Sequence, residues 1–318
     1  MNSKKGIIPI FFAVDDNYAP LLNVALESIV SQASKNYEYH IHILCENLSE
    51  RNKTLLKWFE LNNFRVSIFD MTEHIVKEAQ KMHTRDYYSK TTYFRVYIPD
   101  LFTEYDKALY LDCDIALNAD ISELYNFDIG ENYVGGVTCE AVDTTSVFTE
   151  YAENYLGMKL PYYFNAGIML MNLKVLREIN FKERFFDILS KVKFEVAQDQ
   201  DYFNVLCEGH VLFLPKAWNK TPRPGSLEKL EEIKLVHYNL SYRPWRYDGV
   251  LYEELFWKHA KKTSAYEKLL EIKRGITKKD AAYDKKWMEN LKRVAYELAN
   301  ATDTFCSLYE SGEIMLMK

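Results

Sequence analysis

The sequence predicts an α/β protein whose amino-terminal half is a doubly wound, nucleotide-binding sheet. Three observations carry this. Over residues 7–69, apolar runs of strand length alternate with amphipathic helical stretches, the strand–helix–strand–helix–strand order of a mononucleotide-binding unit. A further apolar run, Ala108 to Leu111, ends in Asp112-Cys113-Asp114, two carboxylates separated by one residue. The composition, 48% hydrophobic and 15% aromatic with 11 Gly in 318 residues, is that of a well-packed chain and excludes low-complexity architecture.

Taken in order, Ile7 to Val14 is an apolar run closed by Asp15-Asp16-Asn17, the pattern of a central strand. Asp16 or Asn17 then sits where a helix N-cap belongs, and Leu21, Leu22, Ala25, Leu26 and Ile29 follow at helical spacing. Tyr39 to Leu44 is a second strand. A helix entered through Ser49 carries Leu55, Leu56, Trp58, Phe59 and Leu61, and Phe64 to Phe69 is a third strand. After an irregular segment (72–90), a helical pattern through Tyr93, Phe94, Val96 and Tyr97 stops at Pro99. The strand leading to Asp112 follows, then a short helix near 121–125 and a strand over 133–138. Residues 140–163 lack periodicity and read as a mobile excursion with a short helix. Phe164 to Met171 is again a strand, with helices near 173–178, 181–191 and 199–207. Residues 212–214 and 233–238 are short strands around a Pro- and Gly-bearing loop, 216–226. Beyond Val250 the pattern is helical, with a break near Gly275.

A net charge of −6 argues against a nucleic-acid partner. Five scattered cysteines without a Cys-x-x-Cys pair read as reduced thiols of a cytoplasmic protein. The Lys-Lys-led apolar run at the start superficially mimics a secretion signal, but Pro9 and Asp15-Asp16 suit a buried strand better.

The chemistry concentrates at strand ends. On an extended backbone, residues i and i+2 share a face, so Asp112 and Asp114 can converge on one cation while Cys113 turns to the core. Paired carboxylates at a buried strand end are costly unless something positive meets them, and a divalent ion clamped to a phosphate-bearing ligand suits oxygen donors. Alone, the motif also fits a solvated strand end. Asp15 or Asn17 could bond a base or ribose and Tyr18 could stack, although a simple helix cap explains the same residues. No glycine-rich phosphate loop follows the first strand. Phe164-Asn165-Ala166-Gly167 puts small residues at a strand start, where a ligand can approach the backbone. Gln198-Asp199-Gln200-Asp201 opens a helix, where acids are favoured by the dipole whatever their function. His237 ends a strand, and Arg243-Pro244-Trp245 presents a guanidinium suited to phosphate.

Together these blocks, with Thr92-Tyr93-Phe94-Arg95, resemble glycosyltransferase family 8, the retaining enzymes that include lipopolysaccharide galactosyl- and glucosyltransferases and glycogenin. The resemblance spans roughly residues 7–260. It implies a GT-A fold, with a Rossmann-like nucleotide-binding sheet, a smaller acceptor-side portion and a helical C-terminus. It divides the chain into a glycosyltransferase domain (1–250) and a helical extension (251–318). It implies a UDP-glucose or UDP-galactose donor, a saccharide or glycolipid acceptor, and Mn²⁺ or Mg²⁺. By position, Ala13, Asp15, Asn17 and Tyr18 would hold uridine, and Asp112, Asp114 and His237 would ligate the metal. Arg95, Asn165, Gly167, Asp199 and Gln200 would surround the donor sugar, with Asp199 and Gln200 the catalytic pair. Arg243 replaces the family's usual diphosphate-binding Lys, and Leu240 replaces a Gly.

Retention permits a covalent intermediate or front-face attack, and the weak nucleophilicity of an uncharged Gln200 favours the latter. Loops 140–163 and 216–226 flank the motifs, and either could close over the donor; Tyr151, Tyr155, Tyr162 and Tyr163 suit sugar stacking or ordinary packing equally. On the last long helix, Trp287, Leu291, Val294 and Leu298 share one face opposite Lys285 and Lys292, a pattern suited either to peripheral contact with an anionic membrane or to docking on the chain's own domain. Rival functions are a nucleotidyltransferase, a self-glucosylating glycogenin-like protein and a non-catalytic UDP-sugar-binding protein.

Overall fold

The structure, a computed structural model, describes residues 5–76, 78, 82 and 90–316; much of the irregular segment expected at 72–90 therefore falls outside the described residues. Among the described residues nine strands form, β1 Gly6–Val14, β2 Tyr37–Cys45, β3 Phe64–Asp70, β4 Lys107–Leu111, β5 Ile115–Leu117, β6 Val134–Thr138, β7 Phe164–Asn172, β8 Val211–Phe213 and β9 Leu235–His237. Seven of them make one sheet in the order β3-β2-β1-β4-β7-β6-β8, and β5 and β9 pair separately. β1, β2, β3 and β4 run parallel. β7 is inserted antiparallel between β4 and β6, so its amino end lies at the same sheet edge as the carboxyl ends of β1 and β4. That edge is where an open α/β sheet receives its ligand.

The apolar runs read from the sequence are the sheet's buried centre: Ile8, Ile10, Phe11 and Phe12 of β1 and Leu109 and Leu111 of β4 have no exposed surface. Such strands are covered on both faces, here by two apolar clusters, one under the 19–32 helix and one under the 181–191 and 199–206 helices.

Several local expectations need correction. The helix Ala19–Gln32 is preceded by Tyr18, not capped by Asp16 or Asn17. The Asp15 carboxylate instead accepts the N–H groups of Asn17 and Tyr18, at 3.0 and 2.9 Å, and Asp16 accepts the Ser49 N–H at 2.9 Å. The second helix ends at Lys57, leaving Trp58 exposed. The pattern around Tyr93 is a 3₁₀ helix, Lys90–Tyr97, that runs into a helical turn Ile98–Leu101. Pro99 does not stop it, because it occupies the first turn, where no N–H is needed. Residues 140–155 form three short helical segments, Glu140–Thr144, Ser146–Glu150 and Tyr151–Tyr155. They are no loose excursion, since Val142 is buried and Phe148, Tyr151 and Tyr155 are buried in segments that pack on the helix Lys278–Ala299.

Candidate active site

β4 ends at Leu111 and β5 starts at Ile115, so Asp112 and Asp114 stand in the turn between them. The Cys113 side chain turns inward, as the alternation predicts, and its thiol meets the Ala13 carbonyl. Antiparallel pairing of Ile115 with His237 brings β9 beside this turn, and the Tyr238 N–H donates to the Asp114 carbonyl at 2.8 Å. Ligand atoms of Asp112, Asp114 and His237 consequently lie within 4.8 Å of one another. His237 Nε2 is 3.2 Å from Asp114 Oδ1 and 3.7 Å from Asp112 Oδ2.

Opposite them, the Asp112 N–H donates to the Gly167 carbonyl at 2.7 Å. A Cβ on Gly167 would fall 2.5 Å from Asp112 Oδ2 and 2.5 Å from His237 Cε1. The small residue expected to admit a ligand thus makes room for the side chains of Asp112 and His237. Two carboxylates and an imidazole converging over a residue that cannot carry a side chain fit a divalent cation. Within the pair, burial pushes the Asp112 carboxyl up, with Arg95 and His237 opposing. Burial also works against the charge of Asp114, but His237 and Arg243 outweigh it and hold that carboxyl below the ordinary range.

Arg95, buried on the 3₁₀ helix, binds the edge together. Its Nη2 donates to Asp112 Oδ1 at 3.1 Å, its guanidinium sits 4.1 Å above the Tyr110 ring, and its Nε is 3.2 Å from Asp199 Oδ2. Because the Nε–H is aimed at the Thr92 carbonyl, 2.9 Å away, the contact with Asp199 is one of charge, and Asp199 Oδ2 is buried without a hydrogen bond. Burial pushes the Asp199 carboxyl up to about 6, with Arg95 pulling the other way.

Asp199 and Gln200 open the helix Asp199–Leu206, entered through Gln198 at φ +46°. Asp199 does not cap it. The acid that reaches back is Asp201, which accepts the Ala197 N–H at 2.9 Å and the hydroxyls of Tyr163 and Tyr151 at 2.6 and 3.0 Å. Gln200 Oε1 accepts from Asn165 Nδ2 at 2.8 Å and from the Ala166 N–H at 3.1 Å, and its Nε2 donates to the Tyr163 hydroxyl at 3.1 Å. Tyr151 and Tyr163, read from sequence as stacking surfaces, are buried hydrogen-bonding groups; Tyr162 is 54% exposed.

Two clefts meet at the carboxylates. One is lined by Ala13, Asp15, Tyr18, Thr92, Arg95, Tyr110 and the Asp112–Asp114 turn. The other extends from Asp112, Asp114 and His237 past Asn165, Gly167, Asp199, Gln200 and Arg243 to Glu140, Phe148, Trp287 and Leu291. Of the predicted site residues, Asn17 alone is absent from both linings among the described residues. Sequence reading missed Asn219, which accepts at Oδ1 from His237 Nδ1 at 3.0 Å; nothing in the loop composition singles it out. It also missed Trp287 and Leu291 as cleft residues. Loops 140–145 and 216–223 do flank the cleft, tied by Lys220 to Glu140 at 2.9 Å and by Arg223 to the Glu140 carbonyl and Thr145 Oγ1 at 3.0 and 3.1 Å.

The apolar face of the 278–299 helix is turned inward, with Trp287, Leu291 and Ala295 buried. No described helix is long and apolar enough to cross a membrane.

Residues 9–249 match the model of glycosyl transferase family 8. The chain is 26% identical over 272 residues to a lipopolysaccharide 1,2-glucosyltransferase of Escherichia coli (strain K12), covering 80% of this chain and 78% of that protein. Among solved structures, the bifunctional glycosyltransferase WbbM superposes with a TM-score of 0.74 at 27% identity, covering 86% of this chain; the chain spans 53% of that structure's length. The galactosyltransferase LgtC, solved with donor and acceptor sugar analogues, gives a TM-score of 0.67 at 26% identity, covering 81% of this chain and 96% of LgtC. The fold is GT-A.

Proposed function

The chain belongs to glycosyltransferase family 8 and is a glycosyltransferase; from that premise we propose that it transfers a hexose, with retention, from UDP-glucose or UDP-galactose to a saccharide or glycoconjugate, assisted by Mn²⁺ or Mg²⁺. The observation that carries the reading is the convergence of Asp112, Asp114 and His237 where two clefts meet. The names of the E. coli glucosyltransferase and of LgtC support a hexose donor.

Asp112, Asp114 and His237 would hold the cation, which would supply Lewis-acid stabilisation of negative charge on a departing diphosphate. The chain's own residues do the rest. Ala13, Asp15 and Tyr18 line the nucleotide side, with Asn17 at its turn, and Arg243 supplies a cation for the diphosphate. Arg95 offsets the charge of Asp112 and Asp199 together, which makes their shared burial tolerable. Asp199, whose Oδ2 is buried, makes no hydrogen bond and meets the charge of Arg95 at 3.2 Å, is the carboxylate that would stabilise the positive charge developing at the anomeric carbon. Gln200 Oε1 is already engaged by two donors, which supports front-face attack over a covalent intermediate on Gln200. Asn165 and Gly167 border the donor sugar. The tied loops 140–145 and 216–223 favour exclusion of water, whose attack on the UDP-sugar competes with transfer. The reaction takes place in the cytoplasm, and contact with an anionic membrane would use the lysine-bearing outer face of the 278–299 helix.

Release of UDP from each UDP-hexose, measured with Mn²⁺ and with EDTA, tests this. Turnover of one donor that collapses on chelation is expected; turnover of neither, or turnover indifferent to chelator, contradicts it.

A further inference from the structure

We infer that Asn219 is a positioning residue that fixes the imidazole of His237 for cation binding. The inference rests on the reading of Asp112, Asp114 and His237 as cation ligands. His237 is buried, and its Nδ1 has two polar neighbours, Asn219 Oδ1 at 3.0 Å and Asn239 Nδ2 at 3.4 Å. The first requires a proton on Nδ1 and leaves the Nε2 lone pair facing the carboxylates. The second requires the reverse tautomer, which would aim an N–H at the place a cation must occupy.

The surrounding hydrogen bonds decide between them. Amide oxygens and nitrogens are told apart by their partners, and here backbone groups provide the reference. The Gly167 N–H donates at 3.1 Å to one side-chain atom of Asn165, which must be its oxygen. Asn219 donates to that same oxygen at 2.9 Å, so the atom it presents there is Nδ2, and its oxygen is turned toward His237. Asn165 Nδ2 is in turn taken up by Gln200 Oε1, which the Ala166 N–H identifies as oxygen. At the far end the Asp201 carboxylate can only accept, so the Tyr163 hydroxyl donates to it and receives from Gln200 Nε2. Every link has the same polarity, and the chain ends on a proton at His237 Nδ1. An outer partner of this kind orients a metal-binding histidine and raises its basicity.

The test is Mn²⁺ affinity in the presence of UDP, read from the electron paramagnetic resonance of free Mn²⁺ and independent of turnover. Asn219→Ala removes the acceptor and should weaken binding about tenfold, the lower end of the range for such partners. Asn219→Asp keeps an acceptor for Nδ1–H but can no longer donate to Asn165, and should recover most of the affinity that Asn219→Ala loses. A purely structural Asn219 predicts that Asp fails as Ala does; that result, or an Ala variant that binds normally, overturns the inference. Melting curves establish that each variant folds. Should Asn219→Ala not fold, the ¹⁵N imidazole spectrum of the unmodified, metal-free chain above the titration of His237 decides: a proton on Nδ1 is expected, and one on Nε2 overturns the inference. An unmodified chain that binds no Mn²⁺ would defeat the cation reading instead, and the spectrum would still test Asn219 by itself.

Discussion

Gly167 and Leu240 show how much single backbone positions decide at this site. A methyl group on Gly167 would collide with Asp112 Oδ2 and His237 Cε1, each 2.5 Å away. Gly167→Ala should therefore abolish transfer and cation binding and also lower the melting temperature, because the His237 ring is buried and held by Asn219 and cannot simply swing aside. Leu240, where the family usually has Gly, adopts the glycine-like φ of +54°. That conformation costs a branched or bulky residue roughly 1–2 kcal/mol. Leu240→Gly should thus be near neutral in stability, strain release offsetting lost packing, whereas Leu240→Val should destabilise; denaturant melts of the two variants check this. The sequence showed the substitution but not the conformation, which loop contacts impose.

Asp199 is the third case. If its charge is needed at the transition state, Asp199→Asn should lower the maximal rate by about 100-fold or more while donor affinity changes little, the pattern of an interaction made late. With its carboxyl near 6, the maximal rate of the unmodified enzyme should fall as pH drops through about 6, and that limb should shrink in Asp199→Asn. The sign for stability is opposite. Folding raises this group from 3.8 to about 6, so protonation favours the fold. The contribution is present below pH 3.8 and lost as pH rises through about 6.

Among the elements, those legible in the sequence were those whose apolar pattern is local. β1 to β4 announce themselves as short apolar runs closed by acids or turns, and their carboxyl ends locate the site edge. What could not be read was the antiparallel insertion of β7, which brings Asn165 and Gly167 to the same edge through contacts 55 residues apart, such as Asp112 with Gly167. The segment 140–155 was misread for a related reason. Its helical pieces are five residues each, too short to show a period, and their burial depends on a helix more than a hundred residues later. That helix binds through Trp287, 5% exposed. Trp287→Ala should cost about 3–5 kcal/mol by cavity formation, seen as a lowered denaturation midpoint. Because Trp287 also lines the cleft, the surviving folded enzyme should show a raised acceptor KM.

At the scale of the whole molecule, the parallel half of the sheet borders one cleft and the mixed half the other, and Asp112, Asp114 and His237 stand at their junction; in the proposed reading the first takes the nucleotide and the second the sugar. The family motifs were readable because each is short and local. Their assembly was not, since it needs β4, β7, β9 and the 199–206 helix to meet at one edge. The most direct measurement of the central claim is the affinity of UDP by titration calorimetry, with Mn²⁺ and after chelation, for the unmodified chain and for Asp112→Asn and Asp114→Asn. Asn fills the volume of Asp without its charge. Metal should tighten UDP binding sharply in the unmodified chain and hardly at all in either variant, with melting curves unchanged. UDP affinity equal with and without metal, or a metal effect retained in both variants, would contradict the account.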